Sequence, residues 1–417
     1  MFKETPETAV HHEIEINDIK PAYNSSYPAS KANSKSREPD NFLLNMPDVV
    51  CLSHLRWDFV YQRPQHLLSR FANHGRVFFM EEPMFVDTDT PFLDLSEREG
   101  GVQVAVPRLP HGLTPEQLED VQRELLNGML QEQGIASYAL WYYTPMALGF
   151  TSHLSPVLTV YDCMDELAAF KFAPPRLKEL ELALFQKADL VFTGGQSLYE
   201  AKRDKHAAVH AFPSSIDKAH FGQARRRQEQ PADQASIPSP RLGFFGVIDE
   251  RLDIALLEDL ADAQPDWQLV IVGPVVKIDP ATLPRRRNIH YLGGKSYKEL
   301  PSYLSGWDVA LLPFAINEST AFISPTKTPE YLAAGKPVVS TPIRDVVRPY
   351  GEQGLVHIAS SATEFEVAIM AALGQKQDEA WGKKVEHFMA NMSWDETWGQ
   401  MVRLMAQAAK QRKGKAA

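Results

Sequence analysis

The stretch PFAINESTAFISPTKTPEYLAAGKPVVST, from Pro313 to Thr341, is the most informative segment of the sequence. An apolar run ends at its start and a second one closes it, which predicts a strand, a loop, a helix and a strand in succession. Ser324 and Pro325 are typical of a helix start, and Gly335 is typical of a helix end. The segment therefore predicts two parallel strands joined by a crossover helix.

The same alternation continues along the chain in two series. The first series comprises VVCLSH from Val49, RVFFME from Arg76, VQVAVP from Val102, YALWYY from Tyr138, VLTVYD from Val157, ADLVFTG from Ala188 and VHAFP from Val209. The second comprises RLGFFGVI from Arg241, WQLVIVG from Trp267, IHYLGG from Ile289, VALLPF from Val309, PVVST from Pro337 and LVHIA from Leu355. Because these runs are apolar almost throughout, they predict strands buried on both faces. The predicted fold class is α/β, with two doubly wound, Rossmann-like parallel-sheet lobes facing each other across a cleft.

The length of 417 residues favours two domains, because one hydrophobic core rarely organises so long a chain. We expect a disordered polar tail over residues 1–45 and a first lobe over 46–220. A linker over 221–240, a second lobe over 241–385, and a final helix with a basic tail over 386–417 complete the division.

The overall charge and the apolar runs exclude several classes of protein. A formal net charge of −10 disfavours nucleic-acid binding, which requires a basic surface. No run approaches the roughly 18 apolar residues that cross a bilayer, and the N-terminus lacks the apolar segment of a signal peptide. We therefore expect a cytoplasmic protein. The basic C-terminal tail predicts either a weak peripheral contact with the inner face of the membrane or simply a solvated surface.

The predicted helix start in the second lobe is suited to an anion. Free backbone N–H groups and the helix dipole favour negative charge at this end. Lys327 lies in the first turn, where only a bound anion makes a cation favourable. Glu330 lies one turn later and is placed to accept hydrogen bonds from ribose hydroxyls. The alternative is a capped helix with a solvated lysine.

The segment SPTKTPEYLAAGKPVVST resembles the signature of group 1 (family 4-like) retaining GT-B glycosyltransferases. This resemblance implies that residues 241–385 bind a nucleotide-sugar and residues 46–220 bind the acceptor, with the final helix crossing back onto the first lobe. It implies a diphosphate site at Ser324, Thr326 and Lys327, and a ribose contact at Glu330.

Other parts of the second lobe add donor contacts by the same resemblance. GFFGVIDER supplies Gly246 and, as the nearest basic residue, Arg251; Gly273 ends a further strand; backbone atoms around Lys295 and Ser296 are expected to hold the base. The sequence departs from the family where a second glutamate is usual, because Phe322 stands there. Glu318 is nearby and is a candidate substitute.

The first lobe resembles a subgroup associated with cell-surface polysaccharide synthesis. Trp57 and Tyr61 are candidates to stack on a sugar, and Arg63 to meet a phosphate of the donor or of a lipid-linked acceptor. The alternative for Trp57 is packing beneath its loop. Where the family commonly has a histidine, this sequence has Tyr143 or Thr144, and Tyr143 is assigned to the acceptor site.

Asp162 and Asp165 follow the strand VLTVYD and are candidates for the catalytic base, with Asp165 first because it lies further out. The alternative role for these two residues is helix capping.

The predicted function is transfer of a hexosyl-type sugar from a UDP- or GDP-sugar to a glycan or lipid-linked acceptor in polysaccharide biosynthesis. The family resemblance implies that this step retains the anomeric configuration. We expect no cofactor and no metal beyond the nucleotide-sugar co-substrate, because a helix start and basic side chains can neutralise the diphosphate. Two alternatives stay open: a nucleotide-sugar epimerase on the same fold, and a non-catalytic nucleotide-sugar-binding protein.

Overall fold

The structure is a computed structural model that describes residues 46–226, 228–376 and 378–416. The predicted tail of residues 1–45 lies outside these ranges. In the described part, the strands are β1 Asp48–Leu52, β2 Val77–Met80, β3 Met84–Phe85, β4 Phe92–Arg98, β5 Val102–Leu109, β6 Tyr138–Tyr142, β7 Leu158–Cys163, β8 Leu190–Thr193, β9 Val209–Ala211, β10 Arg241–Phe245, β11 Gln268–Val272, β12 Ile289–Tyr291, β13 Val309–Leu312, β14 Val338–Ser340 and β15 His357–Ile358.

The α-helices of the described part connect these strands. They are α1 Arg63–Ala72, α2 Pro115–Glu132, α3 Leu148–Thr151, α4 Leu177–Lys187, α5 Gln196–Lys202, α6 Lys218–Gly222, α7 Ala232–Ala235, α8 Ile254–Ala263, α9 Leu300–Ser305, α10 Lys327–Ala333, α11 Arg344–Val346, α12 Ala362–Gln375, α13 Glu379–Met389 and α14 Trp394–Ala416.

The strands form two separate sheets. The first has the order β3-β5-β2-β1-β6-β7-β8-β9, and the second has the order β12-β11-β10-β13-β14-β15. Strand β4 pairs with β5 in an antiparallel manner, and the other described pairs are parallel. The prediction of two doubly wound lobes is confirmed. Strands β3 and β4 were not predicted, because they are short or largely polar and lie at the edge of the sheet, where little burial is needed.

Each lobe has its own hydrophobic core around its sheet. Helix α14 lies outside the second lobe's core and contributes Trp394, Met401 and Met405 to the core of the first lobe. Burying a side chain of this size typically stabilises a fold by roughly 1.5–3 kcal/mol. The C-terminal helix is thereby fixed to the N-terminal lobe.

The segment predicted to be a polar linker, residues 221–240, is folded against the second lobe. Its Gln234 is fully buried and accepts a hydrogen bond from Trp307 Nε1 at 2.8 Å. The Gln234 side-chain amide donates to the carbonyl of Tyr303 at 3.0 Å. A buried glutamine satisfied on both sides makes this segment part of the second lobe.

The strand order places a crevice in each lobe. The chain crosses from one side of each sheet to the other between β1 and β6 in the first lobe and between β10 and β13 in the second. In open parallel sheets, ligands bind beyond the carboxyl ends of the strands at such a reversal. Loops from these ends meet across the lobes, because Phe170 of the first lobe covers Arg251 of the second, 5.5 Å from ring centroid to guanidinium carbon.

Candidate active site

The floor of the second-lobe crevice is built by two glycines at strand ends. Gly246 follows β10 and Gly273 follows β11, with φ of 143° and 148°. A Cβ on Gly273 would lie 1.8 Å from the carbonyl oxygen of Gly246, and a Cβ on Gly246 would lie 2.2 Å from Cε of Lys327. Glycine is therefore needed at both positions. A side chain at Gly273 would clash with the Gly246 backbone, and a side chain at Gly246 would clash with Lys327, which runs directly across that backbone.

Lys327 is a largely enclosed cation with no direct ion pair among the described residues. Its Nζ lies 5.7 Å from the ring centroid of Phe244 and 5.9 Å from that of Phe314. It forms no ion pair or hydrogen bond with any residue in the described ranges. Burial lowers the pKa of Lys327, Glu330 raises it in part, and Arg251 lowers it further. An anion entering this crevice would relieve the cost of keeping Lys327 charged.

The helix start beside Lys327 offers free donors. Helix α10 begins at Lys327, and Thr326 gives it no side-chain cap. Among the described residues, no acceptor is found for the backbone N–H of Thr326 or Lys327. Such unpaired N–H groups at a helix start, next to a cation, are the groups that bind phosphate oxygens.

Glu330 lies one turn along the same helix. Its side chain is buried, and its carboxylate receives no hydrogen bond from the part of the chain that the structure describes. Burial raises the pKa of Glu330, and Lys327 opposes this effect. The charge of Glu330 also contributes to the raised pKa of Tyr297, whose buried hydroxyl has no hydrogen-bond partner there. Unpaired acceptors and donors at this place are suited to a ligand rich in hydroxyl groups.

Arg251 is compensated, in contrast to Lys327. Its Nη2 lies 2.6 Å from Oδ2 of Asp249, and its Nε contacts both oxygens of that carboxylate. Its guanidinium lies over the ring of Phe170. Arg251 thus faces the cleft, with its charge already paired.

Asp165, on the loop after β7, is a first-lobe carboxylate whose pKa depends on charges of the second lobe. Burial raises its pKa to about 6, Arg251 and Arg63 lower it, and Asp249 raises it. A carboxyl with a pKa near neutrality is suited to accept a proton. The charges of Asp165 and Arg251 both affect the pKa of Lys327. These three side chains therefore lie in one part of the cleft.

Comparison with known proteins identifies the second lobe. Residues 239–375, which contain β10 to β15, match the family model described as "Glycosyl transferases group 1". This lobe is a group 1 glycosyltransferase domain. TuaH of Bacillus subtilis (strain 168), named as a teichuronic acid biosynthesis glycosyltransferase, is 26% identical over 278 residues, which cover 61% of this chain and 68% of TuaH. The chain is a glycosyltransferase.

Solved structures agree on the fold. Sucrose-phosphate synthase from Thermosynechococcus elongatus superimposes with a TM-score of 0.64 at 16% identity, over 87% of this chain and 98% of that one. HepE of Anabaena, in complex with UDP, gives a TM-score of 0.62 at 13% identity, over 87% and 100%. The glycosyltransferase has the GT-B fold.

Asp162 and Arg63 take a different role from the one predicted. Asp162 is fully buried, and its Oδ1 accepts from Arg63 Nη2 at 2.8 Å. The remaining Arg63 nitrogen, Nη1, donates to the carbonyl of Phe212 at 2.7 Å. This pair joins two distant parts of the first lobe and uses the whole guanidinium. The structure argues against a catalytic Asp162 and against an Arg63 free to bind phosphate.

The predicted aromatic contacts to the acceptor are also largely in the interior. Trp57 is buried and packs edge-on against Phe79 at 5.0 Å, as the packing alternative expected. Tyr143 is buried as well. These placements argue against direct acceptor contacts. Tyr61 is partly exposed and stacks on Tyr297 of the second lobe at 4.5 Å, so it bridges the lobes.

The remaining donor-site predictions fall into two groups. Ser324 does not cap the helix, because the helix begins three residues later. Its first turn is formed by the N–H of Thr328, which donates to the carbonyl of Pro325 at 3.2 Å. In the base loop, the Lys295 side chain is paired with Asp233 at 2.7 Å, and the Ser296 hydroxyl donates to Glu299 at 2.6 Å. With these side chains occupied, backbone atoms are the groups left to contact a base.

The structure adds site residues that sequence reasoning missed. One of them is His54, which follows β1. Burial lowers the pKa of His54 to about 4; the hydrogen bond to the carbonyl of Tyr143 raises the pKa, and the charge of Lys277 of the second lobe lowers it further. Lys277 has a φ of 61° and places its Nζ 5.5 Å from the ring centroid of Phe170. The place of His54 at the end of a central strand was a usable signal. Nothing local marked Lys277 or Phe170, because they meet only across the cleft.

Phe322, at the position where the family usually has a second glutamate, contacts the other lobe. Its side chain packs against the hydrophobic core of the first lobe. Glu318 lies exposed in a single helical turn that follows Asn317. This loop therefore contributes to contact between the lobes.

The described ranges of the glycosyltransferase contain neither a candidate metal site nor a helix that could span a membrane. No group of three or more His, Cys, Asp or Glu side chains is arranged to hold a metal ion. No helix there combines the length and apolar character that crossing a bilayer requires.

Proposed function

We propose that the glycosyltransferase binds a UDP- or GDP-linked hexose in its second lobe and transfers the sugar to a glycan or lipid-linked acceptor held by its first lobe. The observation that carries this proposal is that Lys327 and the backbone N–H groups of Thr326 and Lys327 have no bonding partner within residues 46–226, 228–376 and 378–416. A diphosphate would supply an anion that bonds directly to Lys327 and to these N–H groups.

The transfer step uses groups on both lobes. The bond between the anomeric carbon and the diphosphate oxygen breaks, and an acceptor hydroxyl oxygen bonds to that carbon with retained configuration. Asp165 takes the hydroxyl proton, for which a pKa of about 6 is suitable. Lys327 and the N–H groups of Thr326 and Lys327 stabilise the charge of the leaving diphosphate. Glu330 accepts hydrogen bonds from the ribose hydroxyls.

We further propose a place for this reaction in polysaccharide biosynthesis. Support comes from the name of TuaH, which assigns that protein to teichuronic acid biosynthesis. We place the reaction in the cytoplasm, with the basic end of α14 touching the inner face of the membrane, and without a resident cofactor or metal. Unchanged turnover after treatment with a chelator would support the last point, whereas loss restored by a divalent cation would replace it.

A panel of UDP- and GDP-sugars tests the function. Release of nucleoside diphosphate together with a glycosylated product supports transfer. An epimerised nucleotide-sugar would instead make the protein an epimerase, and binding without turnover would make it a binding protein. Lys327→Met should abolish turnover, while Lys298→Met, at an exposed lysine paired with Glu99, serves as a matched control and should retain it.

A further inference from the structure

A carboxylate of the second lobe caps a helix of the first lobe. Asp345, in α11, accepts hydrogen bonds from the backbone N–H of Gln196 at 2.8 Å and of Ser197 at 2.9 Å. These are the first two residues of α5. Asp345 is only 6% exposed, so the contact is shielded from water. A helix start that would otherwise keep unpaired donors is thus satisfied across the lobe boundary.

The two glycines before α5 make this approach possible. A Cβ on Gly195 would lie 2.3 Å from Oδ2 of Asp345 and 2.7 Å from Cβ of Ser324. A Cβ on Gly194 would lie 2.3 Å from the carbonyl oxygen of Met164, the neighbour of Asp165. Gly195 has an extended φ of −162°, so close packing and not backbone conformation requires glycine there. The loop that carries Asp165 and the segment that begins the diphosphate site therefore meet at this contact.

A second ion pair accompanies the cap. Arg344, next to Asp345, pairs with Glu200 of α5, and both side chains are partly exposed. Exposed pairs contribute little on their own because solvent screens them. The buried hydrogen bonds of Asp345 are therefore the stronger part of the contact.

We infer that Asp345 is a positioning residue, which holds the two lobes in the arrangement that places Asp165 against the donor site. The inference rests on the proposed function for its catalytic consequence, but its structural consequence can be measured without turnover. Asp345 acts through α5 and the loop before it and has no role in binding the diphosphate.

The test measures the distance between the lobes by electron-spin resonance, with labels on Gln131→Cys in α2 and Asp259→Cys in α8, which are both exposed. The two native cysteines are buried and remain unlabelled. Asp345→Ala should lengthen and broaden the distance distribution. It should also lower kcat/KM for transfer about five- to tenfold, because a displaced Asp165 accepts the proton less effectively. UDP or GDP binding should change less than about twofold, and Asp345→Asn, which keeps one acceptor oxygen, should recover part of the loss.

Two further variants keep the test sharp. Gly195→Ala should separate the lobes without removing any hydrogen-bonding group. Asp378→Ala is the matched control, because Asp378 caps α13 within one lobe through the N–H groups of Ala380 at 2.8 Å and Trp381 at 3.2 Å. It should lower the melting temperature and leave the distance unchanged. An unchanged distance in both Asp345→Ala and Gly195→Ala would overturn the inference. A longer distance in an enzyme that accepts no donor would support it and reject only the proposed function.

Discussion

Replacing Lys327 by methionine should raise the melting temperature of the ligand-free protein and remove most of its stabilisation by UDP or GDP. Without ligand, Lys327 forms no direct ion pair or hydrogen bond in the described ranges, and burial lowers its pKa although Glu330 raises it in part. The folded state therefore carries an energetic cost for keeping this side chain charged. Methionine removes the charge and keeps the length and apolar contacts with Phe244 and Phe314.

The expected magnitudes have opposite signs in the two states. Relief of about 1 kcal/mol would raise the melting temperature of the ligand-free protein by about 2 °C. A hydrogen bond to a charged group contributes about 1.5–3 kcal/mol, so affinity for the nucleoside diphosphate should fall by about 10- to 100-fold. Because the pKa of Lys327 is lower in the folded state than in the unfolded one, the cost is fully present below the folded pKa. The gain from substitution should therefore shrink as the pH rises through that value.

Calorimetric titration with UDP and GDP and thermal melts at several pH values measure both effects. Lys336→Met is the control, because Lys336 lies just beyond the same helix and its buried Nζ donates to the carbonyl oxygens of Ser305 at 3.3 Å and Trp307 at 3.0 Å. Its loss should lower the melting temperature of the ligand-free protein and leave affinity nearly unchanged. Should Lys327→Met destabilise the ligand-free protein as Lys336→Met does, with undiminished affinity, the assignment of Lys327 to the diphosphate is refuted.

Three further variants test the remaining assignments. In the native enzyme, kcat/KM should fall below pH about 6, because the raised pKa of Asp165 leaves the base protonated there. Asp165→Asn should abolish this fall, and Asp204→Asn, at an exposed position, is the control. If Asp165→Asn shows the same fall at low pH, Asp165 is not the base. Glu330→Ala should remove the preference for UDP over its 2′,3′-dideoxy analogue, measured by titration; a retained preference would reject the ribose contact. Asp162→Ala should lower the free energy of unfolding in urea by about 3–5 kcal/mol, because it leaves the Arg63 guanidinium buried without its anion. Asp395→Ala, which breaks the exposed pair with Arg70, should cost under about 1 kcal/mol, and equal losses would contradict the structural role of Asp162.

The sequence predicted the sheets well because burial on both faces leaves a local record. The buried strands from β1 to β14 are short apolar runs, and their spacing leaves room for crossover helices. The edge strand β4 was not predicted, because its side chains are largely accessible and most of them are polar or charged, so it lacks an apolar run. Local patterns therefore predicted the strands in proportion to their burial.

The site was less predictable, because charges pair over distances that a local pattern does not record. Lys327 and Glu330 were found because they lie one turn apart on one helix. Arg63 and Asp162 are 99 positions apart, so nothing in either segment showed that each was the other's partner. His54 and Lys277 belong to different lobes, and they are brought near each other only because the two lobes face each other across the cleft.

The pairing of its charges separates the site from the interior of the same molecule. Lys202 is buried in the first lobe, but its Nζ lies 2.7 Å from Glu166 and 2.8 Å from Glu181. Burial opposes its charge, yet its surroundings raise its pKa overall. In the cleft, the pKa shifts of Lys327, Glu330 and Asp165 all favour the neutral form. The fold pairs Lys202 with two carboxylates, whereas Lys327, Glu330 and Asp165 have no side-chain hydrogen bond or direct ion pair in the part of the chain that the structure describes. A ligand with complementary charge and hydroxyl groups would reduce the cost of keeping these three groups charged. The proposed nucleotide-sugar would meet both requirements, since its diphosphate would offset Lys327 and its hydroxyls would donate hydrogen bonds to the carboxylates.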